Sequence, residues 1–277
     1  MIIHLIDGTY ELFRHFYGQR RFNEGNDKPF GAVVGVLNGV LQMIEEGATH
    51  IGVATDHIIE SFRNELWDGY KTGEGIEPAL FAQFQPVEEA LASMGIVVWP
   101  MIELEADDAL ASAANLAAAD PRVLKVCIWS PDKDLAQCVQ EDRVVQIDRR
   151  AGVIRDANGV RQKFGVSPVL IPDYLALVGD SADGYPGISG IGKVGAARLL
   201  NLYGPIEAFP EKLLEGQREQ ALLFKRLATL RSDAILFNDV DQLQWQGPTS
   251  TFPRLTAKMN EPRLLARVNE LAAKVNS

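Results

Sequence analysis

The chain has 277 residues, 47% hydrophobic and 23% charged, the composition of a globular protein with room for one large domain or one domain and a smaller companion. No apolar run reaches the length of a membrane span, the Ile2–Ile6 run lacks the flanks of a secretory leader, and Cys127 and Cys138 fit no metal spacing, so a cytoplasmic, non-membrane protein is expected. A formal charge of −10 weighs at first sight against a phosphate-bearing partner, since phosphate contacts want Lys and Arg.

The first two-thirds of the chain alternates strand and helix patterns. Ile2–Asp7 is a short apolar run ending in an acid, Phe30–Glu46 has helical spacing, and Ile51–Asp56 is strand-like and again ends in an acid. Pro78–Met94 reads as a helix, Ile96–Trp99 as a strand, Ala106–Ala119 as an alanine-rich helix, and Val123–Trp129 and Val144–Asp148 as strands. This alternation predicts an α/β core over residues 1–167, with a mostly parallel central sheet and helices on both faces. Beyond Ser167 the strand signal ends. Pro168–Val178, Val194–Tyr203, Gln217–Leu230 and Pro262–Val275 predict a helical region over 168–277.

Nine acids recur at the ends of these elements: Asp7; Asp56; Glu105, Asp107 and Asp108; Asp132 and Asp134; Asp180 and Asp183. Setting them aside leaves 28 acids against 27 bases, so the negative charge is concentrated in these segments. Taken singly, each has an ordinary explanation. Acids in the first turn of a helix are favoured by its dipole, and Gly179-Asp-Ser-Ala-Asp-Gly184 reads as a solvated turn. Taken together, they sit where parallel strands end, the edge at which α/β sheets bind ligands. Clustered carboxylates repel, and hard divalent cations relieve the repulsion. Two such ions could serve an in-line phosphoryl displacement. The four histidines, His4, His15, His50 and His57, show no ligand spacing.

Gly187-Ile-Ser-Gly-Ile-Gly-Lys193-Val194 comes close to a nucleotide-binding phosphate loop. Val194 stands where that loop needs a hydroxyl, and an acidic turn precedes it in place of a buried strand, so no nucleotide cofactor is expected. The reading preferred is a hairpin between two helices. Gly187, Gly190 and Gly192 would let backbone N–H groups approach a DNA phosphate, with Lys193 and Arg198 alongside. A plain helix–turn–helix connection is the alternative.

The stretches Leu5-Ile-Asp-Gly8, Ser61-Phe-Arg63 with Tyr70-Lys71, Glu105-Ala-Asp-Asp108, Asp132-Lys-Asp134, Gly179-Asp-Ser-Ala-Asp183 and Pro186-Gly-Ile-Ser-Gly-Ile-Gly192 carry a resemblance over residues 3 to about 205. The chain resembles the 5′-nucleases, which include the N-terminal domain of bacterial DNA polymerase I, phage 5′-exonucleases and flap endonucleases. The resemblance implies a PIN-like core, a helical arch near residues 69–95 and a helix-hairpin-helix-type duplex-binding element near 180–203. It implies two Mg²⁺ or Mn²⁺ ions held by the nine acids, with Glu105, Asp107, Asp108 and Asp132 at the tighter site. Asp134, Asp180 and Asp183 would belong to the second, and Asp7 and Asp56 would tie the cluster together. Arg14, Arg63 and Lys71 would steer and polarise the scissile phosphate, and a K⁺ ion would fit the glycine hairpin. The implied partner is DNA with a 5′ flap, nick or gap, RNA-primed ends included, cut by a monomeric stand-alone enzyme in replication and repair. Two alternatives stay open, a catalytically weak DNA-junction binder and an RNA-directed nuclease on the same scaffold. One departure stands out: Lys71-Thr-Gly-Glu-Gly-Ile-Glu77 lacks the positive charge expected where the arch begins.

Overall fold

The computed structural model describes residues 1–23 and 28–275. Six strands form one sheet in the order β3-β2-β1-β4-β5-β6. Strand β1 (Ile2–Asp7) leads directly into helix α1 (Gly8–Asn23), followed by α2 (Gly31–Glu45) and β2 (His50–Asp56). Then come α3 (Phe62–Leu66), α4 (Pro78–Phe81), α5 (Phe84–Ser93), β3 (Val97–Met101), α6 (Ala106–Ala119), β4 (Lys125–Trp129), β5 (Val144–Asp148) and the edge strand β6 (Val153–Arg155). Every pairing is parallel except β5 with β6.

Apolar side chains on both faces of the inner strands require two helical layers. On one face Ile6, Ile51 and Val53 pack with α1, α2 and α5. On the other, Ile3, Leu5 and Val126 pack with Ala106, Ala109, Leu110, Ala113 and Ala117 of α6. The small side chains let this helix lie close to the sheet. The chain winds outward from β1 to β3 and then crosses back to place β4 on the other side of β1. That reversal opens a crevice at the carboxyl ends of β1 and β4, and the N-terminus of α6 faces the same edge through the Asp56–Ala106 hydrogen bond.

The helical region comprises α7 (Ala157–Phe164), α8 (Ile171–Val178), α9 (Lys193–Tyr203) and α10 (Arg218–Ala228), which share one core around Leu175, Leu177, Leu200 and Phe224. The last helices, α11 (Phe252–Lys258) and α12 (Pro262–Val275), bury Phe252, Met259, Leu264 and Val268 against α2 and α5. Helix α7 thus packs in the helical core, and α11 and α12 return to the α/β core. An amphipathic pattern announces an apolar face and is silent about where that face docks.

Helices α1, α3, α7 and α11 and strand β6 have no counterpart among the sequence-derived elements. Helix α1 is polar and aromatic with little apolar periodicity, and its place is fixed by Leu12 and Phe16 entering the core. The segment expected to form the arch is helical only from Pro78 onward. Residues 67–77 form an irregular strap, and α5 is fastened to the core by Phe84, Val87 and Leu91. Glycines at 69, 73 and 75 disfavour helix in the strap. Among the described residues, no helix is long and apolar enough to cross a membrane.

Candidate active site

The two strand-end acids are held by backbone and hydroxyl donors. Asp7 accepts from the Tyr10 N–H at 2.8 Å and from the Ser130 hydroxyl at 2.9 Å, which joins the ends of β1 and β4. Burial pushes its carboxyl up to about 7, with Asp56 and Asp132 adding to the effect against the two hydrogen bonds. Asp56 accepts from the Ala106 N–H at 2.8 Å, at the free N-terminus of α6, while its own N–H donates to Thr9.

The three acids around the start of α6 have different environments. Glu105 is the N-cap residue, and Asp108 reaches back to accept from its N–H at 2.9 Å. Asp108 is fully buried and takes both arms of the Arg63 guanidinium at 2.7 Å, plus the Arg231 N–H at 2.8 Å. With its lone pairs occupied, Asp108 has no oxygen to offer a cation, which corrects its expected place as a metal ligand. Arg63 is corrected for the same reason. It is 1% exposed, donates also to Glu105 and to the Leu227 and Thr229 carbonyls, and cannot touch a substrate phosphate. Asp107, one residue away, faces the pocket. Its carboxyl is raised well above the usual range by burial and then by Asp132 and Asp7.

Two carboxylate triads result, Asp107–Asp132–Asp134 and Asp134–Asp180–Asp183, each with ligand oxygens within 4.8 Å of one another. Asp134 belongs to both. Its Oδ1 atom is buried without a hydrogen-bond partner, and burial with the charges of Asp132, Asp183 and Asp180 drives its carboxyl far upward. A buried, unsatisfied oxygen among acids is costly unless a cation completes it. Oxygen-only donors fit hard divalent ions, and a carboxylate shared by two triads fits a pair of them. The loop bearing Asp134 is braced by Gln137, whose amide donates to the Asp134 and Ala228 carbonyls at 2.8 and 3.0 Å and accepts from the Leu230 N–H.

Lysines enter this pocket from two sides. Lys71 Nζ bridges Glu105 at 2.7 Å and Asp183 at 3.1 Å, and these acids hold it protonated against the cost of burial. The strap carrying it is stapled to the acidic turn. The Lys71 N–H donates to the Asp183 carbonyl, and the Trp67 indole N–H donates to that of Gly184. Gly184 itself meets Gly69 so closely that a Cβ would overlap the Gly69 carbonyl. Lys133 Nζ pairs with Asp180 at 2.6 Å. Lys133, Ser61, Ser130 and Gln137 were given no role by the sequence, although Ser61 opens the Ser61-Phe-Arg63 stretch and Lys133 lies inside the Asp132-Lys-Asp134 stretch. Arg14, expected at the scissile phosphate, is engaged by Glu11 and His15 on its own helix.

The glycine hairpin joins α8 to α9 as expected, but its glycines do different work. Gly187 is buried at φ +74°, where a Cβ would strike the backbone of Val178 and Gly179. It is a packing glycine, which corrects its expected contact with DNA. Gly190, Gly192, Lys193 and Arg198 are exposed around the N-terminus of α9.

The site is thus a pocket of carboxylates at the switch point of a mostly parallel sheet, followed by a helical hairpin region. The chain belongs to the 5′–3′ exonuclease family: residues 2–165 match that family's N-terminal resolvase-like domain and residues 166–251 its C-terminal SAM fold. It is 30% identical over 281 residues to a 5′-3′ exonuclease of Aquifex aeolicus, covering 97% of this chain and 94% of that protein. It is 34% identical over 259 residues to DNA polymerase I of Pseudomonas aeruginosa, covering 86% of this chain and only 28% of the polymerase. The chain thus spans less than a third of the polymerase it matches. In fold it is similar to T5 5′-exonuclease with bound zinc (TM-score 0.66, 19% identity, 94% of this chain and 99% of that one). It is also similar to the catalytic core of Rad2 in complex with DNA (TM-score 0.64, 13% identity, 97% and 91%).

Proposed function

We propose that the protein is a structure-specific 5′-nuclease. It hydrolyses phosphodiester bonds at or near the 5′ ends of flapped, branched or nicked DNA in replication and repair, with two Mg²⁺ or Mn²⁺ ions. The observation that carries this reading is the pair of acid triads sharing Asp134, whose buried oxygen lacks a partner. Asp107, Asp132 and Asp134 would hold one ion, and Asp134, Asp180 and Asp183 the other. When bound, such ions neutralise phosphate charge and lower the pKa of a coordinated water.

The remaining roles belong to the chain itself. Asp7 and Asp56 would tie the ends of β1 and β2 to β4 and to the start of α6. Lys71, on the strap at the mouth of the pocket, would meet a non-bridging oxygen of the scissile phosphate once a cation takes over Asp183. The N–H groups at the start of α9, with Gly190 and Gly192 leaving room, would accept a duplex phosphate beside Lys193 and Arg198. Such contacts fix register without reading sequence, which suits an enzyme that selects by DNA shape.

The test is cleavage of a 5′-labelled flap, a nicked duplex and a plain single strand, each with Mg²⁺ and with chelator. Metal-dependent release of short 5′ products from the branched or nicked substrates is expected. Cleavage that persists in chelator, or none on any 5′-ended DNA, would overturn the proposal.

A further inference from the structure

The two triads differ in what already neutralises them. Asp183 carries the Lys71 ammonium at 3.1 Å and Asp180 the Lys133 ammonium at 2.6 Å, so two of the three acids of the second triad hold an internal cation. Among the described residues, Asp107 and Asp132 of the first triad have no ion pair. Lys71 has a place in the proposed chemistry, and Lys133 has none there.

The geometry points to Lys133 as a placeholder cation, an ammonium that occupies Asp180 until a divalent ion displaces it, so that the lysine lowers the affinity of the Asp180 site for that ion. This rests on the two-cation reading and deepens it. Asp180 is 2% exposed and anchored independently of the lysine: its Oδ1 accepts from the Ala182 N–H at 2.9 Å, and its backbone pairs with Tyr185 in both directions. The carboxylate therefore stays in place when the lysine leaves. The Lys133 side chain is 36% exposed, on a flexible four-carbon stem that can swing its charge to solvent or to a nearby phosphate. Arg63 is the contrast, since five hydrogen bonds hold its guanidinium and it has no exit. A second positive charge and a divalent ion cannot share one buried carboxylate without strong repulsion, so the two compete.

The experiment is calorimetric titration of the intact protein with Mn²⁺ alone, comparing wild type, Lys133→Met and Lys133→Arg. Wild type should show a tighter and a weaker event. In Lys133→Met the weaker event should tighten at least tenfold while the tighter one moves less than threefold, and Lys133→Arg should stay near wild type. The Mg²⁺ concentration for half-maximal cleavage should fall in parallel in Lys133→Met. An unchanged or weakened second event in a Lys133→Met protein that melts like wild type would overturn the inference while leaving two cations in place. A wild-type protein that binds no Mn²⁺ would sink the two-cation reading and this inference with it.

Discussion

The two walls of the acid pocket are built on opposite principles. At the start of α6, Asp108 is saturated by the Arg63 guanidinium and two backbone N–H groups, and Glu105 Oε1 is held by Arg63 and Ser61, while its Oε2 shares Lys71 with Asp183. Across the pocket, Asp132, Asp134, Asp180 and Asp183 are left with an orphaned oxygen and two solvent-accessible lysines. The first wall is mostly part of the folded protein's own bonding, and the second is where the proposed cations would bind. Neighbours in sequence fall on different sides of this line: Asp108 is locked, and Asp107 is available.

That contrast can be broken most forcibly at Arg63. Arg63→Met leaves the buried Asp108 without its counter-charge and takes one of two cations from Glu105, and should cost roughly 3–5 kcal/mol of stability. Urea unfolding checks this, and a loss below about 1 kcal/mol would show that the wall is not built around Arg63.

A pH series sharpens the comparison on the cation side. Asp7 is pushed up to about 7 by burial, and Asp107 and Asp134 are raised well above the usual range for the same first reason. An acid whose folded pKa lies above its unfolded value contributes stability that is fully present below about 4 and is lost as pH rises through the folded pKa. The metal-free protein should therefore lose Tm between pH 5 and about pH 8. Added Mg²⁺ should restore several degrees at pH 8 and little at pH 5.5. A Mg²⁺ effect on Tm that does not grow with pH would contradict the raised carboxyls.

The smallest effect is expected at the hairpin. Lys193→Ala combined with Arg198→Ala should weaken duplex binding a few-fold and lower the salt dependence by up to about one counter-ion per lost phosphate contact. Turnover at saturating DNA should change little. Unaltered affinity at low salt would remove these side chains from the interface.

Much of this was legible in the sequence. Strand-like runs ending in acids marked the sheet edge, and the alternation of elements gave the parallel topology and the pocket's position. What stayed hidden was set by tertiary contact. Nothing local distinguishes Asp107 from Asp108, because the distinction comes from an arginine 45 positions away. Gly187 resembles its exposed neighbours until α8 is seen to pass behind it. Lys133 could be read as a solvated turn residue, since only the fold brings Asp180 to it. The strap is irregular for a reason the sequence did contain, its glycines at 69, 73 and 75.

The central claim is that one carboxylate, Asp134, serves two cations. Mn²⁺ calorimetry on Asp134→Asn tests it most directly, because no substrate is involved and the folded state is checked by the same protein's melting curve. The account predicts that both binding events weaken at least tenfold while Tm without metal is held or raised, since a buried repulsion is relieved. One event surviving at wild-type affinity would contradict it.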